Sequence, residues 1–174
     1  IAIEPTDLKE MPPLTHIDPT SMPEVSDADR RRGYVPFAAD YIDVVMPSIV
    51  PTAEQLDPTL RIFAAPGERE PISFAVRALE DQQGLTAAIT EFSGDAGSLP
   101  PDAVHAGVVR NLARKIHPRT DDMLSLPAFI EDMHPVHVAA DQSQWFWFTV
   151  NVPEDAAPGT YEATISTSSS GGDA

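Results

Sequence analysis

The stretch that most constrains the fold of this chain is residues 144–166, QWFWFTVNVPEDAAPGTYEATIS, where apolar and mixed positions alternate. Because successive side chains of a strand point to opposite faces, its first half would form a strand with one apolar face. That face carries Phe146, Phe148, Val150 and Val152, and the other face carries Trp145, Trp147, Thr149 and Asn151. Pro153 and the Pro158-Gly159 turn then interrupt the pairing before a second alternation begins. The stretch predicts a β-hairpin in an antiparallel, layered β-domain.

Eighteen prolines among the 174 residues divide the rest of the chain into short segments and argue against long helices. Apolar patterns predict further strands over residues 41–50, 60–65, 72–79, 85–92, 104–110 and 136–139. Helical spacing also fits residues 102–117, but the β-rich surroundings favour a strand there. Strands punctuated by proline and glycine in this way are typical of an all-β fold, an antiparallel immunoglobulin-like β-sandwich of about seven strands.

The segments between these strands have the composition of turns and loops. Residues 52–55 predict a single helical turn, with Thr52 as N-cap and Gln55 at the capping-box position. Pro66-Gly67 and residues 82–84 predict turns. Residues 118–133 predict a loop with one helical turn near residues 127–131.

Composition along the chain predicts three parts. Residues 1–40 are rich in proline without a sustained period and predict an extended arm. Residues 41–168 predict the β-sandwich domain, and residues 169–174 predict a flexible tail or truncated linker. The basic run Arg30–Arg32 lies among aspartates, so we expect it to form local ion pairs or to be solvated.

Charge and composition exclude several classes of function. The net charge of −16, from 27 acidic and 11 basic residues, argues against binding nucleic acid or an anionic membrane surface. No apolar run approaches the roughly 20 residues of a membrane span, so none is predicted. The absence of cysteine excludes disulfides and thiolate metal sites. Since the chain begins at Ile1 without a signal sequence, we expect a processed form or a segment of a longer protein.

Three segments together resemble a known family. They are residues 41–56, residues 64–85 with the pattern A-x-G-E-x-E-P-x-x-F-x-V, and residues 147–165 with W-x-x-V-x-V-P-x-x-x-x-P-G-x-Y. In this order and spacing they resemble the N-terminal β-sandwich domain of glycoside hydrolases similar to family 123 and of related uncharacterised bacterial proteins. The last segment also resembles a hairpin of many extracellular β-sandwiches.

The resemblance implies a function outside this chain. In such enzymes a (β/α)-barrel follows the sandwich and uses an adjacent Asp-Glu pair to hydrolyse an N-acetylhexosaminide with help from the substrate's acetamido group. This chain contains no Asp-Glu dipeptide, and a barrel needs roughly 250 residues. The resemblance therefore assigns no catalytic residue here. It implies a secreted, periplasmic or cell-surface accessory domain that braces the barrel of a larger carbohydrate-active enzyme.

Two other functions remain open at this point. The chain could be a stand-alone carbohydrate-binding module, with Trp145 and Trp147 as a platform for a glycan. Their alternatives are a contact with another domain or an ordinary place in the core. The chain could also be a structural or assembly β-domain completed by a partner strand, because related domains continue with one more apolar strand where this chain has SSSGGDA.

Neither metal nor cofactor is assigned from the sequence. His134 and His137, beside Glu131 and Asp132, carry zinc-ligand chemistry, but Pro135 prevents an uninterrupted helix from presenting the histidines together. Asp121, Asp122 and Asp141 supply carboxylates for calcium without the D-x-D-x-D-G loop. The resemblance implies a structural role for Glu68, which would hydrogen-bond within the Pro66-Gly67 turn.

Overall fold

The computed structural model describes residues 17–56, 59–115 and 122–170. Within this part of the chain lie the helix α1 (Asp27–Arg32) and ten strands: β1 (Tyr34–Ala38), β2 (Arg69–Ala78), β3 (Gln82–Ile89), β4 (Ser93–Gly94), β5 (Gly97–Ser98), β6 (Val104–Lys115), β7 (Met123–Asp132), β8 (Val136–Val138), β9 (Ser143–Asn151) and β10 (Ile165–Ser168). Two short 3-10 helices cover Ala53–Gln55 and Pro101–Ala103. No helix of these residues is long and apolar enough to cross a membrane.

The long strands form two antiparallel sheets. The first sheet has the order β1-β2-β9-β6-β7, and the second has the order β10-β3-β8. The short strands β4 and β5 pair with each other. The predicted all-β sandwich is confirmed, while its immunoglobulin-like character stays a prediction.

The main core lies between the two sheets. Phe146 and Phe148 of β9 are completely buried there and stack against Phe74 of β2, with ring centroids 5.5 and 6.2 Å apart. Leu85 of β3 and Val138 of β8 close the core from the second sheet. The predicted apolar face of residues 146–150 is therefore the inner face of the sandwich.

The sandwich is also closed across its first and last strands. The hydroxyl of Tyr34 in β1 donates to the carbonyl of Thr167 in β10 at 3.1 Å. The Thr167 hydroxyl in turn donates to the Tyr34 hydroxyl oxygen at 3.1 Å. Because β10 pairs only with β3, this contact holds the outer strand of the second sheet against the edge of the first.

The predicted hairpin over residues 144–166 is wrong. Its first strand, β9, pairs with β2 and β6, whereas its second, β10, pairs with β3 in the other sheet. Residues 152–164 therefore cross from one sheet to the other. Side-chain alternation indicates which face of a strand is apolar, but it carries no information about the neighbouring strand.

Several predicted elements are corrected in the first part of the chain. Helix α1 and strand β1 lie inside the predicted extended arm, and β1 pairs with β2 from Tyr34 to Ala38. The sheet therefore begins before residue 41, and residues 1–16 of the arm lie outside the described part. Residues 41–50 and 60–65 contain no strand, because their apolar side chains are not arranged along a paired ladder.

Corrections also concern the second half of the chain. Strand β7 occupies most of the predicted loop at residues 118–133, of which residues 118–121 lie outside the described part. Strand β3 begins at the predicted turn of residues 82–84. In the predicted tail, Ser170 donates from both N and Oγ to the Gln83 carbonyl, while residues 171–174 lie outside the described part. In these segments the backbone pairs with strands distant in sequence, and that pairing overrides the preference of their polar residues for loops.

Other local predictions are confirmed. The Thr52 amide donates to Gln55 Oε1 at 2.8 Å, which is the predicted capping box. The Ala65 amide donates to Glu68 Oε2 at 2.7 Å, so Glu68 holds the turn in which Gly67 adopts a φ of 84°. In α1, Asp29 and Arg32 form the expected local ion pair.

We expect Phe146→Ala to lower the free energy of unfolding by about 3–5 kcal/mol, because it removes a buried ring and leaves a cavity. Phe63→Ala is the matched control, since Phe63 is 92% exposed and its loss should cost less than about 0.5 kcal/mol. Urea unfolding monitored by circular dichroism measures both. Equal costs for the two variants would contradict the placement of Phe146 in the core.

Candidate functional site

The two tryptophans occupy the outer face of the first sheet, at its central strand β9. Their rings meet edge to face, with centroids 5.5 Å apart and an interplanar angle of 68°. Trp145 is only 5% exposed, whereas Trp147 is half-buried. The two predicted site residues therefore lie together but have different access to solvent.

A segment of irregular backbone, residues 39–56, covers this outer face and is named here the covering loop. Its Ala39 and Val45 pack with Trp145, Ala75 and Val109 in a second apolar cluster. The sheet is thus buried on both faces at its centre. This is why β2 is buried without interruption from Ile72 to Ala78.

Hydrogen bonds from the sheet hold the covering loop in place. The hydroxyl of Ser73 donates to the Ala39 carbonyl at 2.6 Å, and the hydroxyl of Ser143 donates to the Ile49 carbonyl at 2.7 Å. The Ser143 amide donates to the Pro47 carbonyl at 2.7 Å. These bonds satisfy buried polar groups on both partners, which would otherwise destabilise the outer cluster.

Arg77 of β2 is the buried cation of this face. Its Nη1 donates to the carbonyls of Ile49 at 3.2 Å and Pro47 at 3.4 Å, and its Nη2 lies 3.8 Å from the exposed carboxylate of Asp141. Burial lowers the pKa of Arg77, and the carboxylates of Asp141 and Asp18 partly offset that shift. Arg77 therefore joins the covering loop to the sheet through its fork of donors.

The burial of Trp145 argues against the hypothesis that Trp145 and Trp147 form a platform for a glycan. A stacking platform needs an open aromatic face, and the covering loop occupies that space over Trp145. The indole nitrogen of Trp145 is buried without a hydrogen-bond partner. Trp145 is a packing residue in this structure, and a contact of the half-buried Trp147 with a glycan or another domain stays a prediction.

The covering loop presents apolar side chains to solvent on its own outer side. Tyr41, Ile42 and Val44 are exposed, and Ile42 keeps 74% of its surface accessible. They lie in the apolar run of residues 41–50, whose pattern predicts a strand that the structure does not contain. One residue of the sequence argues against that strand. Asp43 interrupts the apolar run at a position where a buried strand would carry an apolar side chain.

A second feature lies where the first sheet extends beyond the second. Since β8 is the edge of the second sheet, β6 and β7 continue past it and leave an open cleft of about 460 Å³. We name it the polar cleft. Its polar lining consists of eight residues: Arg110, Asn111, Glu131, His134, His137, Gln142, Ser143 and Gln144.

The candidate metal ligands considered from the sequence do not form a metal site in the described part of the chain. His134 Nδ1 lies 2.8 Å from the Asp132 carbonyl, and His137 Nδ1 lies 3.1 Å from the Gln82 carbonyl. Among the described residues, no group of three His, Cys, Asp or Glu side chains could hold a metal ion. Asp141 lies beside Arg77, and Asp121 is outside the described part.

We expect Arg77→Ala to lower the free energy of unfolding by roughly 1–3 kcal/mol, because the half-buried carbonyls of Pro47 and Ile49 each lose one of their two donors. Arg69→Ala is the matched control, since Arg69 is on the same strand but exposed. Hydrogen exchange should show faster opening of residues 45–50 in the first variant only. Unchanged protection of those amides would contradict the role of Arg77.

The different exposure of the tryptophans predicts a difference in fluorescence quenching. Trp147→Phe leaves the buried Trp145 as the emitter, and acrylamide should quench it weakly. Trp145→Phe leaves the half-buried Trp147, which should be quenched more strongly. Equal quenching constants in two folded variants would show that the covering loop does not shield Trp145.

The fold has a counterpart among solved structures. A family 123 glycoside hydrolase from Clostridium perfringens, studied for its hydrolysis of glycolipid glycans, matches 61% of this chain with a TM-score of 0.57 and 14% sequence identity. The match covers 19% of that enzyme's chain, so this protein corresponds to about a fifth of its length. At this identity the likeness concerns the fold. No protein-family model and no curated protein matches the chain.

Proposed function

We propose that this chain is a non-catalytic N-terminal β-sandwich accessory domain of a larger carbohydrate-active enzyme. In this proposal it braces a catalytic barrel of the same protein or of a partner chain. The parent enzyme is a glycoside hydrolase acting on N-acetylhexosaminides, and it works outside the cytoplasm, where its glycans would be met. The sandwich contributes stability and interdomain geometry to the enzyme.

The observation that carries the proposal is the match of the sandwich to part of a glycoside hydrolase. A likeness over 61% of this chain accounts for only 19% of that enzyme. The same family is the one that residues 41–56, 64–85 and 147–165 resemble in sequence pattern. The resemblance in sequence pattern and the likeness in backbone geometry thus support the same kind of parent protein.

The covering loop offers the surface for such bracing. Exposed apolar side chains that lie close together mark protein interfaces more often than they occur on a free surface. Tyr41, Ile42 and Val44 are such side chains within four residues of sequence. Interdomain contacts within a chain bury on the order of 600–1,500 Å², which this loop together with Trp147 could begin to supply.

The structural evidence favours this proposal over a tryptophan platform for sugar. Of the two tryptophans, Trp145 is covered, and the remaining half-buried Trp147 meets it edge to face. A single partly covered ring offers a poor stacking surface. A domain contact at the same place needs only the edge of Trp147 and the neighbouring loop.

The first test is whether the chain alone hydrolyses 4-nitrophenyl N-acetyl-β-D-glucosaminide or the matching galactosaminide. We expect no turnover above a mock purification. Glu131→Gln serves as a matched variant, because it removes a carboxylate of the polar cleft while keeping the side-chain shape. Reproducible turnover that this or another point substitution in the chain abolishes would contradict the non-catalytic role.

The second part of the test concerns docking in the parent protein that carries this chain. We expect the double variant Ile42→Asp, Val44→Asp to separate the sandwich from its neighbour, because charges cannot be buried without partners. Small-angle scattering and limited proteolysis should report a larger, more cleavable particle. Phe63→Asp is the control, since Phe63 is also apolar and exposed. An unchanged double variant would contradict docking through the covering loop.

A further inference from the structure

The polar cleft has a floor and walls of different chemistry. Val108 and Val109 of β6, with Val136 and Val138 of β8, give it apolar surface. The eight polar side chains already named complete the lining, and most of them carry planar polar groups. Shallow sites of this kind, with an apolar surface and a few placed polar groups, suit a small polar ligand better than a protein helix or strand.

Asn111 is the side chain of the cleft that most needs an explanation. Its Oδ1 is buried and has no hydrogen-bond partner. It follows a bulge between Arg110 and Asn111, which shifts the pairing of β6 with β7 and redirects the local side chains. A buried acceptor without a donor is costly, and a ligand donor at this position would relieve that cost.

The hydrogen bonds of the two histidines set the chemistry of the remaining lining. Because a carbonyl only accepts, Nδ1 of His134 and Nδ1 of His137 carry the proton in their contacts with backbone oxygens. In the neutral ring, Nε2 of each histidine is then an acceptor, and Nε2 of His134 lies 3.7 Å from Glu131 Oε2, where one ligand donor can reach both. With Asn111 Oδ1 and the Glu131 carboxylate, acceptors outnumber donors, so the cleft suits a ligand rich in hydroxyl and amide donors.

The charges of the cleft disfavour an anionic ligand. Arg110 Nη1 donates to Glu131 Oε1 at 2.8 Å, so the positive charge of Arg110 is compensated within the site. Phosphate or sulfate offers only acceptors and would meet Glu131 at close range. A neutral ligand meets neither difficulty.

An aromatic ring lies next to the cleft. The guanidinium carbon of Arg110 is 5.7 Å from the ring centroid of Phe129, which is opposite Arg110 on β7 and 47% exposed. An exposed ring beside planar hydrogen-bonding groups can cover the apolar face of a pyranose while the polar groups bind its hydroxyls. This combination is absent from the covered face of Trp145.

We propose that the polar cleft between β8 and the β6–β7 pair binds a neutral saccharide through Asn111, Glu131 and the two histidines, with Phe129 against the ring. The choice of a saccharide over other neutral polar ligands rests on the proposed function. Of the covering loop, Pro47 lines the site, whereas the exposed Tyr41, Ile42 and Val44 do not. The sandwich would then hold glycan without using the exposed apolar side chains on which docking rests.

The test is a titration of this chain with N-acetyl-D-glucosamine and N-acetyl-D-galactosamine, followed by backbone amide shifts in nuclear magnetic resonance. We expect saturable shifts at residues 108–111 and 134–138, and none at the indole of Trp147. Inorganic sulfate and glycerol, titrated in parallel, represent anions and unspecific polyols. Saturable shifts with either of these as strong as with the sugars would overturn the proposal, as would unchanged cleft amides with both sugars.

Two variants test the residues that carry the proposal. Asn111→Leu removes the buried acceptor and should weaken sugar binding by up to about tenfold without lowering the melting temperature, because one lost hydrogen bond is worth up to roughly a factor of ten. His134→Ala, at an exposed position, should weaken binding comparably and keeps the test valid if the first variant does not fold. Arg114→Ala, on β6 but outside the cleft, is the control.

The two proposals fail separately. Binding that His134→Ala leaves unchanged would overturn the cleft assignment without touching the docking face. Intact sugar binding in a parent protein whose covering loop does not dock would contradict the accessory role alone. Since Ile42 and Val44 do not line the cleft, their double variant should bind sugar as the unaltered chain does.

Discussion

The burial of the first sheet on both faces is the constraint on which the rest of this structure depends. β2 and β9 pair along nine residues, with phenylalanines packed on the inner side and Trp145 on the outer side. The outer side stays dry only because the covering loop lies on it. The backbone of that loop forms no strand. Its carbonyls therefore accept hydrogen bonds from the side chains of Ser73, Arg77 and Ser143 instead of from a neighbouring strand.

This arrangement separates the two surfaces that matter for function. The covering loop occupies the face where the tryptophans lie and presents its own apolar side chains outward. The polar cleft lies between β8 and the β6–β7 pair, because the second sheet has three strands and the first has five, and Pro47 of the covering loop belongs to its lining. The unequal widths of the sheets therefore create both the overhang of β6 and β7 and the place for polar side chains beside an apolar floor.

The sequence predicts the class of fold, the inner face of β9 and the turn at Glu68, because these follow from local alternation and local hydrogen bonds. It does not predict that β9 and β10 belong to different sheets, since strand pairing is decided by packing across the core. It also misses β7, whose Pro127 and acidic end favour a loop locally. The polar cleft could not be predicted, because its residues come from four separated segments and Asn111 is placed by a bulge.

The bond between Tyr34 and Thr167 has a consequence for how the chain reaches this structure. It joins residues 133 positions apart, and β1 and β10 each complete a sheet at an opposite end of the described sequence. Non-local pairings of this kind require large loops to close before their contacts form, which slows folding. A ribosome would have to release most of the domain before its second sheet could close. Until then the inner phenylalanines would be accessible to chaperones and proteases.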